Sequence, residues 1–250
     1  MIKNKLSKKS KRLIRNFIND FKALGNGKNL NKLGKIYKTD KIGGHFYTQH
    51  YQLHFKKFKY KKINLLEIGV GGYKNPFSGG NSLRMWKKYF PFGNIFSIDI
   101  YDKSPIQERK IKIFKGSQVD DFFLNSVLKE TGDLDLIIDD GSHINEHVIQ
   151  TFKLLFPKLK KGGIYVIEDT QTSYWKSYGG DSMNLNNPNT MMNFFKSLTD
   201  GLNHKEIINP AFQENYYDKN IVSIHFYHNL IFIYKGDNNE ESNSVVNNGR

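Results

Sequence analysis

The chain of 250 residues contains no cysteine. Disulfides, thiolate zinc sites and cysteine nucleophiles are thereby excluded. Any metal must be held by carboxylates, carbonyls or imidazole, a donor set that favours a hard ion such as Mg²⁺. Alanine is nearly missing, at Ala23 and Ala211 only, while lysine, asparagine and isoleucine abound, as an AT-rich coding sequence would give. No apolar run approaches a membrane span. The opening MIKNKLSKKSKRLIRNF has charge but no uninterrupted apolar core of signal-peptide length, so the expected setting is cytoplasmic. Acid is in deficit, with 24 acidic residues against 38 basic ones and a net charge of +14. Such a balance suits a polyanion, and six of the first twelve residues are basic. No aromatic-interleaved basic motif accompanies the charge, so nucleic acid is not an expected partner.

What is present is a regular alternation. Residues 1–35 read as one or two basic helical segments ending near Gly25-Asn26-Gly27, followed by the polar, aromatic stretch KIYKTDKIGGHFYTQHYQLHF. Apolar runs at 63–68, 95–100, 111–114, 134–138 and 164–167 suit buried strands. Helices are expected at 82–90, closed by Pro91, at 120–128, and at 144–159, ending at Gly162-Gly163. A last helix is expected at 190–198, then two alternating strands, 221–227 and 230–235, joined at His228-Asn229. Strands alternating with helices imply an α/β fold with a parallel sheet covered on both faces. Five parallel units closed by an antiparallel hairpin give the seven-stranded, Rossmann-like layout of the class I methyltransferases. The expected division is a helical, substrate-covering extension over 1–60, a catalytic domain over 61–235 and a disordered tail over 236–250.

The stretch LLEIGVGGY ends the first strand, where open parallel sheets bind ligands. Gly69, Gly71 and Gly72, with Tyr73 closing the turn, let backbone bend sharply and approach a ligand. The spacing is not a dinucleotide fingerprint, and Glu67 would repel a pyrophosphate. A ligand with an ammonium, a sulfonium and a ribose fits better, which points to S-adenosylmethionine. Asp99, ending the second strand, is placed to accept ribose hydroxyls, and Gln118 and Asp120 fall near the expected adenine.

Two acidic pairs follow, Asp139-Asp140 and Glu168-Asp169, each terminating a strand. Four carboxylates at one rim repel unless a cation neutralises them, and oxygen ligands favour Mg²⁺. His143, in DDGSH, is placed to take a proton from a substrate hydroxyl. His45, His50 and His54 form no compact metal face and read as solvated or packing residues. Tyr47, Tyr51, Tyr174 and Trp175 read either as the wall of a sugar pocket or as core.

The segments KIYKTDKIGGHFYTQHY, LLEIGVGGY, GGNSLRMWKKYFP, SIDIYDKS, IIDDGSH and LFPKLKKGGIYVIEDTQTSYW resemble the metal-dependent sugar O-methyltransferases that act on macrolide glycosides, from about Lys35 to Tyr178. The resemblance implies transfer of a methyl group to a hydroxyl, with Mg²⁺ bound by Asp140, Glu168 and Asp169 and His143 as general base. It sets Asp139 beside the methionine portion of the cofactor, although spacing alone does not separate its role from that of Asp140. It also implies a small-molecule or glycan acceptor and a homo-oligomer. The composition favours a surface polysaccharide or nucleotide sugar over an antibiotic. The competing readings are a catechol-type O-methyltransferase, a cephalosporin hydroxylase-like oxygenase and a non-catalytic polyanion-binding module.

Overall fold

The computed structural model describes residues 7–242, and the chain divides between Thr131 and Gly132 into two compact units. In the first unit, helix α1 (Lys8–Lys22) is capped by the Ser7 hydroxyl, which accepts from the Ser10 amide. Helix α2 (Leu30–Tyr37) is capped by Asn29 and stopped by Lys38 in the left-handed region, at φ 59°. The end of α1 agrees with the break expected at Gly25–Gly27, whereas α2 lies wholly beyond it. Helix α3 (Thr48–Phe55) falls in the stretch read as irregular. Its apolar residues are interleaved with Gln and His, so no helical stripe shows in the sequence; Tyr51 and Phe55, one turn apart, nonetheless face inward.

Strand β1 (Asn64–Ile68), helix α4 (Asn81–Tyr89), strands β2 (Asn94–Asp99) and β3 (Ile111–Lys115), and helix α5 (Asp121–Thr131) complete this unit. β1 and β2 pair in parallel with Leu65 opposite Ile95, and β2 and β3 with Ile95 opposite Ile111. Leu65, Leu66, Ile95 and Ile98 are buried, as two covered sheet faces require. Tyr51 and Phe55 meet Trp86 of α4 at ring separations of 4.9 and 5.7 Å. Each fully buried side chain of this size contributes roughly 1.5–3 kcal/mol.

The second unit holds strand β4 (Leu134–Asp139), helix α6 (Asn145–Leu155), strand β5 (Leu159–Glu168), helices α7 (Met191–Ser197) and α8 (Tyr216–Asn220), and strands β6 (Ile221–Tyr227) and β7 (Leu230–Lys235). The helix expected to run to the Gly162-Gly163 pair stops earlier. Pro157 ends it through a tight turn over Phe156–Lys158, and the glycines lie inside β5. A Cβ at Gly163 would stand 2.8 Å from the Asp135 carbonyl, so the β4/β5 register shifts between Leu134 and Leu136 around a position only glycine fits.

β6 and β7 form the expected antiparallel hairpin, turned by Asn229 at φ 60°. The strands run in the order β3-β2-β1 in the first unit and β4-β5-β7-β6 in the second. Of the residues expected to be a disordered tail, 236–242 are described and are bonded to the second unit. Asn238 donates to the carbonyls of Asp218 and Gly201, and Ser242 to Glu206. Residues 243–250 lie outside the described residues.

Candidate active site

In the first unit the loop after β1 doubles back on itself. Gly69, Gly71, Gly72 and Tyr73 all have positive φ, and Tyr73 is exposed. The Gly80 amide donates to the Val70 carbonyl at 2.7 Å, and a Cβ at Gly79 would lie 2.3 Å from the Gly71 carbonyl oxygen. Two strands of loop therefore touch backbone to backbone, which only glycine permits. Helix α4 begins after this loop, at Asn81, as expected.

Two cations that sequence reasoning passed over hold the loop. Lys103, only 1 % exposed, donates from Nζ to the carbonyls of Tyr73, Asn75 and Ser78 at 2.5, 2.9 and 3.3 Å. Burial lowers the Lys103 pKa, while the Asp99 charge opposes the shift. The Arg84 guanidinium donates to the carbonyls of Gly79 and Gly80. With carbonyls turned onto these cations, the fold of the loop is fixed from within the unit.

Glu67, expected beside a cationic cofactor, also has partners within the protein. Its side chain is 0 % exposed, pairs with Lys41 Nζ at 3.1 Å, and accepts from Trp86 Nε1 at 2.9 Å. The Lys41 ammonium balances the charge of this buried carboxylate. Lys41 carried no signal in the sequence, because its partner is distant along the chain.

Asp99 stands at the end of β2, where its oxygens accept from the amides of Val70, at 3.1 Å, and Tyr101, at 2.8 Å. It thus ties the glycine turn to the second strand. Gln118 is buried in the loop after β3. Asp120 is exposed and caps α5 by accepting from the Phe123 amide. Of the aromatic residues weighed as a sugar wall, Tyr47 and Tyr51 belong to the core of this unit, with His45 stacked on Tyr47 at 4.6 Å. His54 is buried, as a packing residue would be, and burial lowers the His50 pKa.

In the second unit, one ligand atom each from Asp140, His143 and Asp169 lie within 4.8 Å of one another, the one such metal-competent group among the described residues. His143 Nε2 is 3.5 Å from Asp169 Oδ2 and 3.9 Å from Asp140 Oδ1, and all three side chains are part-exposed. Ligands of one octahedral Mg²⁺ stand about 3 Å apart when each bond is about 2.1 Å. The two carboxylates, in a chain without thiols, suit a hard divalent ion, and the imidazole stands beside them. Glu168 does not join the trio. It is the last residue of β5, opposite Leu230 and 2 % exposed, whereas Asp169 leaves the strand at φ 54° and so turns its carboxylate elsewhere.

His143 also has positive φ, 57°, which is uncommon for a residue with a Cβ. Thr172 holds both unusual residues. Its hydroxyl is 2.8 Å from the His143 carbonyl and 3.1 Å from that of Asp169. Asn145, at the start of α6, in turn donates to the carbonyls of Thr172 and Tyr178 and accepts from the Met191 amide at 2.7 Å. Thr172 and Asn145 are almost fully buried. Neither carries a motif, so sequence reading had nothing by which to find them. Asp139 is also buried; burial first, then the charge of Asp139, pushes the Tyr165 phenol's pKa well up. Tyr174 and Trp175 remain substantially exposed beside this cluster in sequence.

No protein-family model matches the chain. It is 45 % identical over 213 residues to mycinamicin VI 2''-O-methyltransferase of Micromonospora griseorubida, covering 84 % of this chain and 53 % of that protein. Demethylmacrocin O-methyltransferase of Streptomyces fradiae is likewise 45 % identical over 213 residues, covering 84 % and 54 %. The solved MycE methyltransferase of the mycinamycin biosynthetic pathway, in complex with Mg and SAH, superposes with a TM-score of 0.82 at 45 % identity, over 85 % of this chain and 56 % of that one. The fold is therefore the class I methyltransferase fold. Within that class, the chain's close relatives are the macrolide sugar O-methyltransferases, and the chain spans about half their length.

Proposed function

We propose that the chain is an S-adenosylmethionine- and Mg²⁺-dependent O-methyltransferase acting on a hydroxyl of a sugar or glycoside. The convergence of Asp140, His143 and Asp169 carries this reading, since it sets an imidazole beside a pair of carboxylates suited to a hard cation. It is supported by the relatives' names and by MycE, which was solved with Mg, SAH and mycinamycin VI. When bound, the two cofactors would supply the methyl group and the charge that acidifies an acceptor hydroxyl.

This chain's own residues would do the rest. Asp140 and Asp169 would hold the cation, with Glu168 as the third carboxylate. His143 Nε2, flanked by those carboxylates, would take the acceptor proton, and Thr172 would keep the His143 and Asp169 backbones in their unusual conformations. Gly69, Gly71, Gly72 and Tyr73 would let the cofactor approach the backbone. Asp99 would meet its ribose, Gln118 and Asp120 its adenine, and Asp139 its methionine portion. Tyr174 and Trp175, exposed, would offer rings to a sugar.

The proposal extends to a catalytic domain over 61–235 preceded by a substrate-covering extension, to a small-molecule or glycan acceptor, to homo-oligomeric assembly and to work in the cytoplasm. No helix among the described residues is long and apolar enough to cross a membrane. Incubation with methyl-labelled S-adenosylmethionine, Mg²⁺ and a panel of glycosides, nucleotide sugars and catechols tests the reading. Label on a sugar is expected. Label confined to catechols, or a hydroxylated product without label, would replace it.

A further inference from the structure

Helix α1 is packed inside out. Its inward face is polar: Arg12 and Asn16 are buried, Arg12 donates to the Pro105 carbonyl at 2.9 Å, and Asp20 accepts from the Tyr37 hydroxyl at 2.6 Å. Its outward face is apolar. Leu13, Phe17 and Phe21 recur every fourth residue, Ile14 and Ile18 lie beside them, and Leu24 continues the stripe past the helix end. These six residues are 44–75 % exposed. Folding alone does not select a helix that buries arginine and exposes two phenylalanines, so this face has a partner outside its own unit.

The charges on the same helix say what kind. Lys11, Arg15 and Lys22 are exposed and, at 100° per residue, follow one another along the border of the apolar stripe next to Ile18. The single acid of the helix, Asp20, is engaged by Tyr37. Two such helices meeting symmetrically would set basic rows against each other in a chain of net charge +14, which disfavours a second copy as the occupant. An anionic surface satisfies both features at once: phenylalanines sink among acyl chains while lysine and arginine heads stay at the phosphates. We propose that α1 is an interfacial anchor, lying flat on an anionic lipid bilayer with Leu13, Phe17, Phe21 and Leu24 immersed. The chain would thereby work at a membrane surface without crossing it.

The test is cosedimentation with vesicles, which needs neither methyl donor nor acceptor and so stands or falls apart from the proposed activity. Vesicles of equal parts phosphatidylglycerol and phosphatidylcholine should pull the protein down in about 0.1 M salt, and vesicles of phosphatidylcholine alone should not. Lys11→Gln, Arg15→Gln and Lys22→Gln should each weaken binding about fivefold, the equivalent of ~1 kcal/mol per basic residue near such a surface. Phe17→Ser with Phe21→Ser should reduce it at least tenfold with the thermal melt unchanged, because both side chains already face water. Equal binding to the two vesicle types, no binding to either, or indifference to these substitutions overturns the proposal. So does light scattering that shows a wild-type dimer converted to a monomer by the double Phe substitution, which would assign the face to a second copy.

Discussion

Replacing Lys41 by methionine should expose how much of the first unit rests on one ion pair. Lys41 and Glu67 are 1 % and 0 % exposed, and their charges stand 3.1 Å apart. At an effective dielectric of ~20 the attraction at that distance is about 5 kcal/mol, offset by desolvation of both groups. Lys41→Met leaves a carboxylate buried beneath the glycine turn with the Trp86 indole donating to it. An orphaned buried charge costs roughly 3–5 kcal/mol. For a chain of this size that corresponds to a fall in Tm of roughly 6–20 °C, at about 2–4 °C per kcal/mol. Adding Glu67→Gln removes the charge and keeps an oxygen to accept from Trp86, so the double variant should recover to within about 2 kcal/mol of the parent. Urea unfolding followed by tryptophan fluorescence measures all three proteins. A single variant within 1 kcal/mol of the parent, or a double variant no better than the single one, would refute the argument. The double variant should also bind S-adenosylhomocysteine within about threefold of the parent; a loss beyond tenfold, about 1.4 kcal/mol, would mean that the charge of Glu67 serves the ligand after all.

Four further groups of residues give measurable outcomes. Thr172→Val removes the hydroxyl shared by the His143 and Asp169 carbonyls, and should lower Mg²⁺ affinity about 10–100-fold by titration calorimetry, with Thr172→Ser restoring most of it. His143→Gln should cut turnover about 10²–10⁴-fold while S-adenosylhomocysteine binding holds, and unchanged turnover would remove His143 as base. Lys103→Met strips three loop carbonyls of their donor, and should weaken S-adenosylhomocysteine binding and open residues 73–80 to protease before the rest of the chain. Alkali should destabilise the fold. Burial pushes the Tyr89 phenol up to about 12 against a lowering bond from Gln52, and raises Tyr37 and Tyr165, so the folded chain keeps protons that the unfolded chain releases near pH 10. Stability is then full below pH 10 and falls above it, by about 1.4 kcal/mol per pH unit for each tyrosine, until the folded phenol titrates as well. A urea midpoint flat from pH 9 to 11 would contradict those shifts.

Much of this architecture was legible because periodicity and punctuation reported it directly. The hairpin ends at 227 and 230 and the start of the helix after the long glycine loop follow from alternation and from glycine. Helix α3 escaped because its inward residues, Tyr51 and Phe55, sit among polar neighbours of similar size. The end of α6 was misplaced because a glycine pair looks like a helix stop, whereas Pro157 ended the helix first and the glycines served a close strand approach.

For the site, chemistry at strand ends was readable. Asp140, His143 and Asp169 do come together. What could not be read was which charges are answered internally. Lys41, the partner of Glu67, is remote in sequence, and the two readings of Tyr47 and Tyr51, pocket wall or core, stood level because a core aromatic and a binding aromatic are spelled alike. Asn145 and Thr172 act through bonds to backbone carbonyls, which leave no residue pattern at all.

In the proposed site Asp140, Glu168 and Asp169 seat a divalent ion needed for methyl transfer to a sugar hydroxyl, and His143 beside them takes the proton. The most direct measurement is label transfer from S-adenosylmethionine to a glycoside before and after treatment with EDTA, and again on adding back Mg²⁺. Transfer that EDTA abolishes and Mg²⁺ restores is expected in the parent, with no restoration in Asp169→Asn. Transfer indifferent to EDTA, or equally restored by Mg²⁺ in Asp169→Asn, would contradict it.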